Sequence, residues 1–455
     1  MMNKRVQLSL ISLTAAVTLF TGCSKNSGTG NDLTTGKQAT SQTAGNDAIV
    51  HPNEPVELYL YSNTGDFNEN SVRSRWWNYL NAKYPNFVLK FVPKITGGLP
   101  QLIASGQQID IIYSSIGGAN SNVIDNSLQF DMTELAKKHG LDLNRFEPET
   151  LDMIKQMGGL YGLPVANGRM VLFYNKDIFD KFGAPYPKDG MTWDDMLELS
   201  KKVSRFENDV NYFGFTAYIQ HQMKMNQPSL DIVDKQTGRA AVNTDKWKTV
   251  LQKIMIDPIL QNEAYRNAII AANETFSHSD NFSKKRTVAM YSMSSVMPVS
   301  WENDANFATL NWDIVTLPTL KENPGVGPQP YPDYLYITNM SKNKDAAMEV
   351  IKFILSDEMQ MIDSRKGSFT ALKNPDIQKV FASETNVYKG KNINAVIQTK
   401  PAKPATITGY DDIVIRAVEK QLLEAVKSGG SIEINSLLRA SEETANMEIE
   451  KVRRK

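Results

Sequence analysis

LYGLPVANGRMVLFYNKDIFDKFG, running from Leu160 to Gly183, is the stretch on which the fold turns. The run Met170-Val171-Leu172-Phe173-Tyr174 is continuously apolar and passes into Asn175-Lys176-Asp177. It predicts a strand leading directly into a helix. Asp177 suits the N-cap of that helix, because a short carboxylate can accept from the unpaired N–H groups of a first turn. Asn167 and Arg169 lie in the polar break just before the strand.

Upstream, Val56 to Tyr61 alternates and predicts a strand, and Ser62-Asn63-Thr64-Gly65-Asp66 predicts a turn. Val72 to Tyr84 predicts a helix ended by Pro85, and Phe87 to Val92 a second strand. Leu99 to Ser105 starts a short helix, and Ile109 to Tyr113 forms a third strand. Downstream, Thr192-Trp193-Asp194-Asp195 opens a helix with Thr192 as cap and Asp195 at the third helical position. Phe282 to Ser292 reads as helix end, turn and strand, and Ser341 to Ala347 opens a helix carrying Val350, Ile351 and Ile354. Strands alternating with helices imply an α/β fold with a mostly parallel sheet. Ligands of such sheets sit beyond the carboxyl ends of the strands, so the turns after Tyr61 and Tyr113 are candidate binding loops.

The N-terminus has a different character. Lys4 and Arg5 precede a short apolar run, Leu8 to Phe20, which fits a secretory signal better than a membrane span. The run ends in Leu19-Phe20-Thr21-Gly22-Cys23 and resembles a bacterial lipoprotein lipobox, with Phe20 where that motif prefers Leu. The resemblance implies lipid on Cys23; the alternative is an ordinary cleaved signal. Cys23 is the sole cysteine of 455 residues, which excludes an intramolecular disulfide or a Cys-based metal site. Residues 24–52, rich in Ser, Thr, Gly, Asn and Gln, have no apolar period and predict a flexible linker reaching roughly 30 Å.

The remainder is too long for one ordinary core, so two lobes are expected. Lys plus Arg and Asp plus Glu balance at 50 each, which argues against nucleic acid or an anionic surface as a partner recognised through net charge. His51, His139, His221 and His278 are scattered without metal-ligand spacing and read as surface residues. No metal or cofactor is expected.

The segments LIASGQQIDII (Leu102 to Ile112), LYGLPVANGRMVLFYNKDIFDKFG, MTWDDMLELSKKV (Met191 to Val203), FSKKRTVAM (Phe282 to Met290) and SKNKDAAMEVIKFILS (Ser341 to Ser356) resemble, in order, the carbohydrate-binding branch of the extracellular solute-binding proteins of ABC importers, which includes maltose-binding protein. The resemblance implies a two-lobed α/β fold of the periplasmic-binding-protein type (type II-like), with an interlobe cleft and hinge strands. It implies residues 1–22 as signal peptide and 23–52 as lipidated cysteine and linker. Residues 53–165 with about 325–385 would form an N-terminal lobe, and 166–324 with about 386–455 a C-terminal lobe. Crossings between lobes fall near Leu163 to Arg169, Leu317 to Pro332 and Val380 to Lys391.

Matched to the family motif, Asn63, Asp66, Tyr113, Ser114, Asn167, Arg169, Ser294, Ser295, Tyr331, Asp333, Tyr334 and Tyr410 are the candidate ligand-binding residues. A sugar presents hydroxyls at its rim and C–H groups on its faces, so amides, carboxylates and aromatic rings are suitable partners. Each residue also has a structural reading: Asn63 and Asp66 as turn formers, Tyr113 as sheet core, Arg169 as partner of a structural carboxylate, Tyr331 as loop packing. Trp76-Trp77 in the first helix should split, one inward and one towards the surface, while Trp193 should be core. The resemblance implies a monomeric binding protein that closes on a carbohydrate, delivers it to membrane permease subunits and stays at the bilayer through Cys23, in a cell without an outer membrane. The rival readings are the same fold with a non-sugar solute, a sensor or adhesin lipoprotein, and an exported glycan-cleaving enzyme, which needs two flanking carboxylates.

Overall fold

Alternating burial along Val56–Ser62 makes strand β1, followed by β2 (Phe87–Val92) and β3 (Ile111–Ser115). Next come β4 (Leu163–Gly168) and β5 (Met170–Asn175), separated by Arg169 alone. Strands β6 (Arg205–Glu207) and β7 (Val210–Ala217) form a hairpin. Its two turn residues, Asn208 and Asp209, have φ of 49° and 60°, a left-handed geometry that short polar residues tolerate. A second small hairpin joins β8 (Val233–Asp234) to β9 (Arg239–Ala240). The chain continues through β10 (Val288–Ser294), β11 (Trp312–Thr316), β12 (Val326–Gly327), β13 (Tyr331–Ile337) and β14 (Lys400–Pro401). The structure is a computed structural model and describes residues 54–62, 64, 67–260, 262–272, 279–302, 304–429 and 432–454. Cys23, the linker, Asn63, Asp66, His51 and His278 lie outside the described residues.

The strands build two five-stranded sheets, β2-β1-β3-β13-β4 and β11-β5-β10-β7-β6. Both are mixed, where the alternating pattern predicted mostly parallel pairing. Strands β1, β2 and β3 are parallel, but β13 runs antiparallel to β3 and β4, and β5 antiparallel to β10 and β11. The cause is the way the chain changes sheets. A βαβ crossover returns a strand in the same direction, whereas β4 passes straight into β5 of the other sheet with no helix between them.

Each sheet has its own core. The first gathers residues from Leu58 to Val165, then Tyr334 to Met359 with Leu372 and Ile377. The second gathers Met170 to Leu320, then Phe369, Phe381 and Tyr388, and the closing helices Asp411–Lys427 and Ile434–Arg453. Phe369 thus reaches the second core ahead of the third expected crossing. Tyr331 packs against both cores. The architecture is the two-lobed α/β fold.

Local signals explain the ends of elements. Thr192 and Asp195 form a reciprocal capping box on the helix Trp193–Val203, and Trp193 is core. The helix Lys176–Phe182 is capped by Asn175, which accepts from the Asp177 N–H, so Asp177 is the second residue of the helix rather than its cap. Trp76 and Trp77 are both buried, contrary to the expected split. Residues Arg73–Trp77 are π-helical, and the wider turn lets consecutive side chains face inward. Among the described residues, no helix is long and apolar enough to cross a membrane.

Candidate functional site

The two lobes meet at β4, β13 and the segment 363–372. In the β13–β4 ladder Pro332 lies opposite Asn167 and Tyr331 opposite Gly168. The Asn167 N–H donates to the Phe369 carbonyl at 2.8 Å. Its amide side chain is fully buried, and among the described residues no hydrogen bond reaches its oxygen or its nitrogen. A buried amide left unpaired costs about 1–3 kcal/mol, so a fold that retains one has another use for it.

Arg169 follows. Its backbone pairs with Ser295, accepting from the Ser295 N–H at 2.7 Å. Its guanidinium lies 5.4 Å over the Phe369 ring, and burial lowers its pKa against the opposing pull of Glu147 and Glu149. Ser295 is buried and its carbonyl accepts from Tyr388, so it ties the crossing together. Ser294 ends β10, and its hydroxyl lies close above Gly168, where any Cβ would meet it at 2.8 Å.

On the first-lobe side, Tyr113, Tyr331 and Asp333 share a face of the sheet. The Tyr113 hydroxyl donates to Asp333 at 3.0 Å, and its ring stacks on Phe67 at 4.0 Å. Burial pushes Asp333 up to about 6, although Tyr113 and Arg75 both favour its charged form. Tyr331 reaches Gly117, where a Cβ would collide with its hydroxyl.

The second-lobe side comes from the helix Ile219–Lys224 and the turn before Asp411. His221 meets the Tyr331 ring edge-on at 5.5 Å, and its Nδ1 is buried with no hydrogen-bond partner among the described residues. Burial, with the nearby Lys224 charge, pushes His221 down to about 4. Lys224 pairs with Asp412 at 2.7 Å and donates across the gap to the Gly117 carbonyl at 3.4 Å. Asn120 donates to the Thr408 carbonyl, and Gln156 accepts from the Ile407 N–H. Asp411 holds that turn by accepting from the Thr408 N–H and hydroxyl, and burial pushes it up to about 6.

The space lined by Gly117, Asn120, Lys224, Tyr331, Thr408 and Asp412 is only about 30 Å³, room for a water or two, so the lobes stand close together. A hollow of about 630 Å³ between Ser204, Phe206, Asn211, Asn262 and Asn267 lies wholly on the second lobe, so lobe movement cannot enclose a ligand there.

Several candidates are drawn elsewhere. Tyr334 is fully buried in the first core and donates to the Thr150 carbonyl. Ser114 is buried and accepts from Asn122. Tyr410 precedes its helix beneath the Arg453 guanidinium, 5.3 Å away. Nor are all the histidines superficial. His139 is buried between Asp345 at 2.7 Å and Glu349 at 2.6 Å, and His221 packs edge-on against Tyr331. Arg75, His221, Lys224, Asp412 and Asn120 were missed. Of these, only the neighbouring Trp76-Trp77 pair carried a signal, and it pointed to the helix rather than to Arg75. Among the described residues, no cluster of His, Cys, Asp or Glu is arranged to hold a metal ion.

Comparison with known proteins agrees with this geometry. A family profile described as bacterial extracellular solute-binding protein matches residues 68–361, more than half the chain. An arabinooligosaccharide-binding protein of Bacillus subtilis is 37% identical over 75 residues, which is 16% of either chain. An ABC substrate-binding protein of Listeria monocytogenes, solved in complex with cycloalternan, superposes with a TM-score of 0.69 at 17% identity, covering 87% of this chain and all of that one. A sugar transporter protein of Rhizobium etli in an open conformation gives 0.64 at 19% identity, covering 86% and 99%.

Proposed function

Because the chain belongs to the bacterial extracellular solute-binding proteins, we propose that it captures a carbohydrate, an oligosaccharide in preference to a single sugar, and delivers it to the permease subunits of an ABC importer. The observation that carries this reading is Asn167, an amide fully buried on the strand between lobes with both polar atoms unpaired among the described residues. An amide both donates and accepts, as a sugar hydroxyl does, and its burial cost is recovered when a ligand pairs it. Tyr331, with His221 against its edge, adds a ring for C–H groups, Asp412 and Asn120 add acceptors and donors at the rim, and Asp333 adds a carboxyl held by Tyr113. The names of the relatives, which bind arabinooligosaccharides and cycloalternan, support the same solute class.

The mechanism is a shift between lobe arrangements. A gap of about 30 Å³ admits no sugar, so entry requires rotation at β4, β13 and residues 363–372. A solute touching both lobes then favours the closed form, in which Lys224, Asn120 and Gln156 already bridge them. Chemical change of the solute has no part in this. Lipid on Cys23 would hold the body near its permease, and two acyl chains anchor where one holds only marginally.

The test is calorimetric titration of the mature body with arabinotriose, maltotriose, mannobiose and cycloalternan. Binding of at least one at micromolar Kd or tighter is expected. Binding of a peptide with no response to any sugar would reject the reading. Cys23→Ser should release the protein into the medium with ligand affinity unchanged.

A further inference from the structure

The first helical segment departs from regular geometry at Arg73–Trp77, which is π-helical. Such bulges recur where a helix has to re-aim side chains for function. Here Arg75 and Trp76 both turn towards the lobe junction, and the Arg75 guanidinium stacks over the Trp76 ring at 4.5 Å. A guanidinium drawn out of water needs partners, and those of Arg75 come from far along the chain. It donates to Asp363 at 3.1 Å and to the Ser368 hydroxyl at 2.7 Å, and its charge acts on the Tyr113 hydroxyl. Trp76 donates to the same Asp363 oxygen at 2.6 Å.

Two consequences reach the cleft. The Tyr113 hydroxyl, under the Arg75 charge, donates its proton to Asp333. The segment containing Asp363 and Ser368 is clamped to the first-lobe helix, and the next residue, Phe369, supplies the carbonyl that holds Asn167. One cation therefore orients a carboxyl on β13 and anchors the backbone support of the buried amide on β4.

We infer that Arg75 is a positioning residue for the solute site, acting through Tyr113 on Asp333 and through Ser368 and Phe369 on Asn167. This inference rests on the carbohydrate-binding reading. Asp333 faces Tyr113 from β3, Arg75 from the helical segment and Tyr331 from its own strand, while Asp363 and Lys366 lie beyond Arg75. Asp66 lies outside the described residues. Burial raises Asp333 and Arg75 opposes that rise. Removing the cation therefore drives the carboxyl further towards its neutral form.

The experiment compares wild type with Arg75→Met and Arg75→Lys. Asp333 ionisation is followed by carboxyl carbon NMR, assigned with Asp333→Asn, and Kd for the best sugar of the four is measured from about pH 5 to pH 8. In Arg75→Met the Asp333 midpoint should rise by about one pH unit. Affinity should fall by about threefold near pH 6.5 and by less at pH 8, and Arg75→Lys should recover most of the loss. Arg75→Gln, uncharged but still able to donate a hydrogen bond towards Ser368, provides the same reading if the methionine variant does not fold. An unchanged Asp333 midpoint in the uncharged variant overturns the inference. So does a loss of affinity that is equal at every pH and no smaller in Arg75→Lys, since that is what a merely structural role would produce. A wild-type protein that binds none of the four sugars rejects the carbohydrate reading instead, and the NMR midpoint still decides whether Arg75 controls Asp333.

Discussion

The two sides of the cleft are built differently. On the first-lobe side, Tyr113 and Asp333 are held from behind by Arg75, Trp76 and Asp363, all within that lobe or its junction segment. On the second-lobe side, His221 and Lys224 find part of their surroundings across the gap, against Tyr331 and the Gly117 carbonyl. A wall braced internally keeps its geometry whether the lobes are open or closed. A wall whose contacts lie opposite changes environment as the lobes move. The contrast suggests a division of labour, with one side preorganised to receive solute and the other reporting closure.

Asn167 sits on the strand joining the sides, and changing it should have the largest effect. Asn167→Leu keeps the branched outline and replaces both unpaired groups with methyls. Sugar affinity should fall at least about hundredfold, while the unliganded protein gains about 1–3 kcal/mol of stability. Titration calorimetry and urea unfolding of the same sample check both halves. A variant that binds normally would mean that the amide serves the hinge alone.

Asp333 tests the braced side. Its folded pKa of about 6 lies above the usual aspartate value. Its neutral form is therefore favoured by folding, a contribution complete below about pH 4 and lost as pH rises through about 6. Asp333→Asn should be more stable than wild type by about 3 kcal/mol at pH 7.5, with the difference vanishing below about pH 4. Its affinity should lose the acid-side decline that wild type shows. Thermal unfolding across that range is the measurement, and a pH-independent difference would show that Asp333 is not the titrating group.

What was legible in the sequence divides along a similar line. Thr192 with Asp195 and the β1 alternation depend on neighbours in the chain, and capping chemistry and periodicity revealed them, whereas the β4–β5 crossing was implied by the family resemblance. Tyr334 and Ser114 are drawn into the first core because they pair with each other across β13 and β3, on the face opposite Asp333 and Tyr113, and matching to a family motif does not separate neighbours that alternate along a strand. Arg75 was invisible because its partners Asp363 and Ser368 lie nearly 300 residues away, separations of 288 and 293. His139 and His221 looked superficial because spacing identifies metal ligands but says nothing of carboxylates or rings brought up by folding.

Lys224 tests the other side. Lys224→Met removes the bridge to Gly117 and leaves Asp412 beside the buried Asp411 and within reach of Asp125. Closure loses a direct contact and gains like-charge repulsion. Affinity should fall by about tenfold, and solution scattering at saturating sugar should show a less compact particle than wild type. Removing Lys224 also relieves the charge that helps depress His221, so the His221 midpoint should move upward from about 4. Unchanged scattering with weakened binding would assign Lys224 to the solute rather than to closure.

The smallest effect should come from Thr192, which is remote from both walls. Its hydroxyl accepts from the Asp195 N–H, and Asp195 reaches back to the Thr192 N–H and hydroxyl. These bonds lower the Asp195 pKa, so their stabilisation is present above the usual aspartate range and is lost on acidification through the lower folded value. Thr192→Ala should cost about 1 kcal/mol of stability at neutral pH, with a smaller penalty in acid and no change in Kd. The helix it caps packs Trp193, Met196 and Val203 into the second core, so the loss is confined to folding of that lobe. If affinity fell along with stability, the second lobe would be transmitting core strain to His221 and Lys224. Its wall would then depend on internal bracing as much as the first does, and the contrast between the two sides would fail.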